Sequence, residues 1–294
     1  MGFFKTLFTG KEETEEEKKE QRQKNDFDMF KYDGIQAARM GRLDYAMECF
    51  ERALAIHDDS ETRRYYANAL LRDNDIEGAI EEFENLRNLE PDDASVVLSL
   101  ADLYFQIEDY DKMEEACNAT IEKDASLAMP HYLLAKKYNA QGDMINAVAQ
   151  ATQAIANKDD FDDAYLLRAQ ILFQMQQYAD AEKDIDVILE ANAESDDVMM
   201  MKAECCEALG KTDEAKEFYN KVIEFSPFTT KAYLNLGNIL YKEGKNEEAA
   251  HIVEEGLKLA PDEMKNINGE YTNWEEKMKD AYNALNPMGL NVNL

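Results

Sequence analysis

The chain has 294 residues, of which 45% are hydrophobic, and its formal net charge at pH 7 is −30. This acidic excess argues against nucleic-acid binding, which needs Lys and Arg to neutralise phosphates. No stretch approaches the ~18 apolar residues of a transmembrane helix, and the start does not resemble a secretory signal, so the chain is predicted to be cytoplasmic.

Residues 1–26 divide into an aromatic segment and a charged linker. The linker, residues 11–26, is rich in Glu and Lys and is predicted to be a solvated helix or a tether without a core face. The aromatic segment places four apolar residues on one side of a short helix: Phe3, Phe4, Leu7 and Phe8. We expect this segment to dock on the protein's own groove, on a partner or on a membrane surface, with the membrane less favoured because few cations lie nearby; plain disorder is the remaining alternative.

Residues 27–261 contain a repeat of about 34 residues. One small residue marks each unit: Gly34, Ala67, Ala101, Ala135, Ala169, Ala203 and Gly237. We number each unit so that this residue is position 8. A second small residue follows twelve positions later in six units, and Met113 replaces it in the third. A turn Gly lies between them at Gly41, Gly142, Gly210 and Gly244. Each unit therefore predicts two closely packed antiparallel helices, and acidic residues at the junctions are expected to cap helix starts.

This pattern resembles the tetratricopeptide repeat (TPR) family, and the last unit is the closest match through Gly237, Gly244, Ala249 and Pro261. The resemblance implies an all-α fold, a right-handed α–α superhelix (TPR solenoid) of seven repeats over residues 27–261. Residues 262–294 are predicted to supply a C-terminal capping helix, carrying Trp274, and an irregular tail.

In this family, positions 5, 9 and 12 of each first helix, with 2 and 13 at the edges, line a concave groove that binds peptides or partner helices. The candidate binding residues are Lys31, Arg39, Arg64, Asn68, Arg72, Phe105, Tyr132, Lys136, Asn139, Gln170, Phe173, Lys231, Asn238, Tyr241 and Lys242. The set mixes bases, aromatics and amides, and we expect it to be most positive around Arg39, Arg64 and Arg72. The alternative is that these are ordinary solvated positions.

Some family members that bind chaperones hold a partner's C-terminal carboxylates with a Lys/Asn/Lys/Arg clamp. Arg64 and Asn68 imitate its first two members, but Ser99, Met129 and Leu133 stand where the others belong. The clamp is incomplete, so Hsp70 or Hsp90 tails are not the favoured ligand.

No motif in the sequence indicates catalysis. Nucleophile–base pairs, phosphate loops and paired carboxylates are not recognisable, and the four Cys and three His lack metal-ligand spacing. We predict no catalytic residue, cofactor or metal, and interpret the Cys as small core residues. The favoured function is a non-catalytic scaffold or adaptor for proteins or peptides. The alternatives are a self-inhibited regulatory protein or a peripheral membrane adaptor that uses the Phe-rich segment, and the oligomeric state is left open.

Overall fold

A computed structural model describes residues 14–191 and 195–259, and within these ranges all regular structure is helical. Fourteen helices follow one another there. Their bounds are α1 (Glu15–Arg39), α2 (Leu43–Ile56), α3 (Ser60–Arg72), α4 (Ile76–Leu89), α5 (Ala94–Gln106), α6 (Tyr110–Lys123), α7 (Ala128–Ala140), α8 (Met144–Asn157), α9 (Asp162–Gln174), α10 (Tyr178–Ala191), α11 (Asp196–Ala208), α12 (Thr212–Phe225), α13 (Thr230–Lys242) and α14 (Asn246–Leu259). The predicted all-α architecture of tandem helix pairs is confirmed.

The small residues at position 8 lie where the two helices of a pair approach each other. The five alanines of the series are completely buried. At the two glycines there is no room even for a methyl group, because a Cβ on Gly34 would lie 2.6 Å from Phe50 Cε1 and one on Gly237 would lie 2.6 Å from Val253 Cγ2. The second small residue of each unit, and Met113 in the third, are also completely buried. Small side chains therefore set the spacing of each pair.

The chain forms two compact units, Met1–Leu134 and Ala135–Leu294, with the division inside α7. In the first unit, a core cluster joins Ala37 of α1, Phe50 of α2 and Ala69 of α3. In the second, Ile185 of α10 packs with Val198 and Cys205 of α11. Within each unit, therefore, a second helix is buried both by its own first helix and by the first helix of the next repeat.

Aspartates cap many of the helices. At the junctions between repeats, Asp59 accepts a hydrogen bond from the Thr62 N–H, and Asp93 accepts one from the Ser95 N–H. Three further caps, which the sequence analysis did not single out, lie at the turn inside a repeat: Asp75, Asp109 and Asp143. These carboxylates satisfy backbone donors that have no partner inside the helix.

Helix α1 begins earlier than the repeat pattern indicates. Thr14 and Glu17 form a capping box, and α1 then runs for 25 residues without interruption. Residues 15–26 are exposed throughout, which agrees with the solvated-helix interpretation of that part of the linker. Helix α1 passes through residue 27 without interruption, because nothing between residues 15 and 33 is a Gly or Pro that would end the helix. Residues 1–13 and the predicted capping helix in 262–294 lie outside the described residues.

The turn inside each repeat uses a left-handed backbone at position 15. The four predicted turn glycines have φ between 74° and 79°. In the other three repeats a residue with a side chain adopts the same conformation: Asn74 at 65°, Glu108 at 61° and Gln176 at 60°. Glycine adopts positive φ without steric cost, and Asn tolerates it better than Glu or Gln.

We expect Glu108→Gly and Gln176→Gly each to raise the free energy of unfolding by about 1 kcal/mol, because glycine removes the clash of Cβ with the backbone at positive φ. Gly142→Ala is the reciprocal control and should lower it by a similar amount. Urea denaturation followed by circular dichroism measures all three variants. A loss of stability in both glycine variants would contradict the prediction.

Candidate functional site

The burial pattern of the first helices shows which side of each is accessible. Position 8 is buried in all seven repeats, whereas position 12 is half-buried and position 9 is half-buried or exposed in every one. Positions 9 and 12 are three residues apart and therefore lie on one side of a helix. We call the residues at positions 2, 5, 9, 12 and 13 of the first helices the first-helix face, and describe it separately in each unit.

In the first unit, Lys31 of α1 is paired with carboxylates of the next repeat. Its Nζ lies 2.9 Å from Asp59 Oδ2 and 2.6 Å from Glu61 Oε2. Burial alone would lower the pKa of Lys31, but the hydrogen bonds to Glu61 and Asp59 outweigh it, so the pKa is raised. Asp59 thus caps α3 and binds a cation of α1 at the same time.

Arg64 repeats this arrangement one unit further along. Its guanidinium pairs with Glu90 and with Asp93, the cap of α5. The hydrogen bonds from Ser95 and Arg64 lower the pKa of Asp93. The pKa of Arg64 is raised because, although burial opposes the charged form, the hydrogen bonds to Glu90 and Asp93 favour it more strongly.

The remaining polar candidates of this unit lie near the ends of the same helices. Arg72 Nη1 donates to the Ala38 carbonyl oxygen at 2.6 Å, which links α3 to α1. Asn68 is exposed, and its amide donates to the Arg64 carbonyl oxygen at 2.8 Å. Arg39 is exposed and has no ion-pair partner within residues 14–191 and 195–259.

Of the three arginines expected to make this end of the face positive, only Arg64 is paired with carboxylates among the described residues, whereas Arg39 and Arg72 have no acidic partner there. Lys31 and Arg64 are occupied by carboxylates of the chain, and Arg72 is held by a backbone carbonyl. The electrostatic field of an arginine that is already paired does not extend far into solvent. Position 12 in this unit adds an aromatic, Phe105, whose ring centroid lies 6.0 Å from that of Tyr110, and Tyr132 at position 5 of α7 is half-buried.

In the second unit, amides and aromatics recur on the face. Gln170 and Phe173 hold positions 9 and 12 of α9, and Asn238 and Tyr241 hold the same positions of α13. Both amides are exposed, and both aromatics are half-buried. The Phe173 ring packs edge-on against Tyr178 at 5.1 Å between centroids. Lys136 and Asn139, on α7, are half-buried.

Between these two helices, α11 presents Glu204 and Glu207 at positions 9 and 12. Lys231 pairs with Glu204, and Lys242 Nζ lies 3.4 Å from Glu207 Oε1. Glu207 also accepts a hydrogen bond of 3.0 Å from the hydroxyl of Tyr219. The two predicted lysines of α13 thus compensate the acids of α11, and this part of the face is close to neutral.

A cleft of about 730 Å³ in the first unit was not predicted. It lies among α4, α5 and α6, and none of the candidate binding residues lines it. Its lining includes Val97, Ala116 and Ala119, together with charged residues such as Glu84 and Lys123. The sequence contains a signal for this cleft, because α6 has the small residues Ala116 and Ala119 at the repeat positions where α12 has Phe218 and Lys221.

A buried polar cluster in the second unit links α10 to the following repeat. Lys202 Nζ lies 2.9 Å from Glu182 Oε1 and 2.5 Å from Asp186 Oδ1, and Lys211 Nζ lies 2.7 Å from Glu182 Oε2. Among the described residues, Glu182, Cys206 and Glu214 are the one group close enough to share a metal ion. Because two ammonium groups already compensate Glu182, the cluster is explained as a structural link.

The cysteines are buried in both units, as predicted for small core residues. Burial is the largest cause that raises the pKa of Cys205 and of Cys206 to about 12. Their thiolate forms are therefore disfavoured at neutral pH, and neither thiol is an activated nucleophile. The predicted docking residues Phe3, Phe4, Leu7 and Phe8 lie outside the described residues. In the described part of the chain, no helix combines the length and the apolar character needed to cross a membrane.

The ion pairs of Arg64 predict a stability difference between two arginines of the first-helix face. Arg64→Ala should lower the free energy of unfolding by about 1–2 kcal/mol, since it leaves two half-buried carboxylates without their cation. Arg39→Ala, the matched control, should change it by less than about 0.5 kcal/mol. Urea denaturation of the two variants tests this, and equal effects would contradict the assignment.

The Asp59 contacts predict a pH dependence. Burial alone would raise the pKa of Asp59, but hydrogen bonds from Thr62 and Lys31 lower it. The stability that the Asp59 carboxylate contributes is therefore present above its pKa in the unfolded chain, and it is lost as the pH falls through its pKa in the folded protein. Asp59→Asn should be less stable than the parent at pH 7, with the difference shrinking as the pH falls below about 4. Thermal melts at pH 7, 5 and 3 measure it. A difference that is constant across the three pH values would be evidence against the pair.

Comparison with known proteins identifies the repeat. Two models described as tetratricopeptide repeat match residues 66–128 and 230–263, and the model for anaphase-promoting complex, cyclosome, subunit 3 matches residues 140–222. Among curated proteins, the Hsp70-Hsp90 organizing protein of Triticum aestivum is 21% identical over 69% of this chain and 41% of its own length. The chain thus spans less than half the length of that relative.

Two solved structures share the fold. The C-terminal part of a TPR repeat-containing protein from Cytophaga hutchinsonii is 14% identical, with a TM-score of 0.66 over 82% of this chain and 99% of its own. YrrB, described as a TPR protein with an unusual peptide-binding site, is 19% identical, with a TM-score of 0.56 over 62% of this chain and 94% of its own. At these identities the likeness concerns the fold.

Proposed function

Since the chain belongs to the tetratricopeptide repeat proteins, we propose that it is a non-catalytic scaffold that binds peptide segments of partner proteins on its first-helix face. The observation that carries the proposal is the recurrence of an exposed amide at position 9 and a half-buried aromatic at position 12, in Gln170 with Phe173 and in Asn238 with Tyr241. Neither amide has a hydrogen-bond partner within residues 14–191 and 195–259, so both can bind a ligand.

The chemistry of this face favours an extended peptide. Side-chain amides can donate to and accept from a peptide backbone, and aromatic rings bury apolar side chains at little entropic cost. The lysines of α13 are already paired with Glu204 and Glu207, which leaves little free charge for binding an anion. We therefore propose a ligand that is held by backbone hydrogen bonds and apolar contacts rather than by its charge.

The name of the wheat relative refers to Hsp70 and Hsp90, which makes chaperone tails the second candidate ligand. One observation opposes a carboxylate clamp in the first unit. Arg64 stands at the position of the first clamp residue, but it is paired with Glu90 and Asp93. A terminal carboxylate would have to displace both acids. We therefore place chaperone tails behind internal peptide segments.

We expect Asn238→Glu combined with Tyr241→Ala to reduce peptide binding by at least about tenfold, which corresponds to about 1.4 kcal/mol. Peptides would be selected from a random displayed library on the parent chain, and their dissociation constants measured by fluorescence anisotropy. The matched control is Asn220→Glu combined with Phe225→Ala, which likewise replaces an Asn and an aromatic residue, but at exposed positions of α12. Melting temperatures should confirm that both variants are folded.

Two further measurements distinguish the alternatives. Ala119→Arg fills the cleft of the first unit, and a loss of binding in that variant alone would move the site away from the first-helix face. Selected peptides would also be compared with the same sequences carrying an amidated C-terminus. A strict need for the free carboxylate would favour a chaperone-type ligand over the one proposed here.

A further inference from the structure

Positions 3 and 10 of each first helix pack on the preceding repeat. In the second unit, Val198 and Cys205 of α11 pack on Ile185 of α10. Similarly, Ala232 and Ile239 of α13 share a core cluster with Tyr219 of α12. From the second to the seventh repeat, every residue at these two positions is buried. The two positions therefore mark the side of a first helix that is covered by its predecessor.

The first repeat breaks this pattern. Met29 holds position 3 and Gln36 position 10, and Tyr32 lies between them on the same side of α1. Met29 is 49% exposed and Tyr32 is 67% exposed, and Gln36 is exposed as well. We call these three residues the end face. In the described residues no helix precedes α1, so nothing there covers it.

An apolar end face is unusual for a helical repeat array, because terminal repeats normally present a polar outer side. The rest of α1 follows that rule, since residues 15–26 contain no apolar side chain. The exposed methionine and tyrosine are therefore confined to the level of the first repeat. The side of α1 that corresponds to a buried side in the six later repeats thus carries an exposed Met and Tyr instead of the polar side chains expected at the end of an array.

We propose that the chain's own aromatic segment, residues 3–8, covers the end face by folding back along α1. Its apolar residues are Phe3, Phe4, Leu7 and Phe8, and they match the chemistry of Met29 and Tyr32. Because residues 15–26 are entirely polar, Met29 is the first apolar side chain that the segment meets on that side of α1.

The length of the connection fits this placement. Met29 lies about 21 Å along the helix axis from Glu15, and Tyr32 about 26 Å, at a rise of 1.5 Å per residue. The chain from Phe8 to Glu15 spans at most about 24 Å when extended, and the chain from Phe3 spans about 40 Å. Phe8 can therefore reach the level of Met29, and the residues before it can reach Tyr32.

A second copy of the chain is a poorer occupant. Each copy carries a net charge of −30, so two copies repel each other at low ionic strength. A segment tethered through a short linker instead has an effective concentration on the order of millimolar. Covering the end face in this way leaves the first-helix face open, which separates the proposal from self-inhibition in the groove.

Photo-crosslinking in the full chain tests the proposal. Tyr32 is replaced by p-benzoyl-phenylalanine, and equal amounts of ¹⁴N- and ¹⁵N-labelled protein are mixed before irradiation. We expect crosslinks to tryptic peptides 1–5 or 6–11 of the same chain, without mixed-isotope products. The same probe at Ile145 of α8, which is 75% exposed, is the control and should give no crosslink to these peptides.

A second variant keeps the test decisive. Combining Phe3→Ser, Phe4→Ser, Leu7→Ser and Phe8→Ser should abolish the crosslink and speed amide hydrogen exchange over residues 29–36 about threefold, with circular dichroism unchanged. Mixed-isotope crosslinks would assign the end face to a second copy and overturn the proposal. The proposal would also be overturned if no crosslink from position 32 reached residues 1–11, or if the parent chain and the fourfold Ser variant had equal exchange rates over residues 29–36.

Discussion

The close approach of two helices at position 8 is the constraint on which the rest of the structure depends. Gly34 lies against the ring of Phe50 and Gly237 against Val253, with no space for a single added carbon. Once position 8 is fixed in the helix–helix contact, the 100° turn per residue determines where every other position lies. Positions 3 and 10 then pack on the preceding repeat, and positions 9 and 12 remain accessible.

Charge is used in this chain mainly to join repeats. Acids outnumber bases by nearly two to one, with 62 against 32. Several bases on the described first helices pair with acids of a neighbouring repeat. Lys31 and Arg64 bind acids at the start of the next repeat, and Lys202 binds acids of the repeat before. In the second unit, where Lys231 and Lys242 are paired with Glu204 and Glu207, the accessible face is characterised by amides and aromatic rings.

The helix pairs and their register could be predicted from sequence because they depend on residue size at a fixed spacing. The small residues at position 8 and the turn glycines determine both. The ion pairs could not be predicted from sequence, because spacing along the chain does not tell which of several nearby acids a long side chain such as Arg64 will reach. For the same reason the sequence could not show that Arg64 is paired with acids of the chain while Arg39 and Arg72 are not.

Other features were missed for different reasons. Glu108 and Gln176 adopt a backbone conformation that their residue types disfavour, because the surrounding repeat imposes it. The cleft among α4, α5 and α6 depends on small side chains on the second helix, whose variation between repeats becomes meaningful only when the packing is known. The uncovered side of α1 likewise becomes visible only by comparison with the six repeats that follow.

The double role of Asp59 and Asp93 has a consequence for how the first unit comes apart. Each carboxylate is oriented by the N-terminus of its own helix and, in that orientation, holds a cation from the preceding first helix. If α3 unwinds at its start, α1 loses its anchor at the same moment. Neighbouring repeats are thereby coupled in their local opening, so excursions from the native state will involve pairs of hairpins rather than one hairpin at a time.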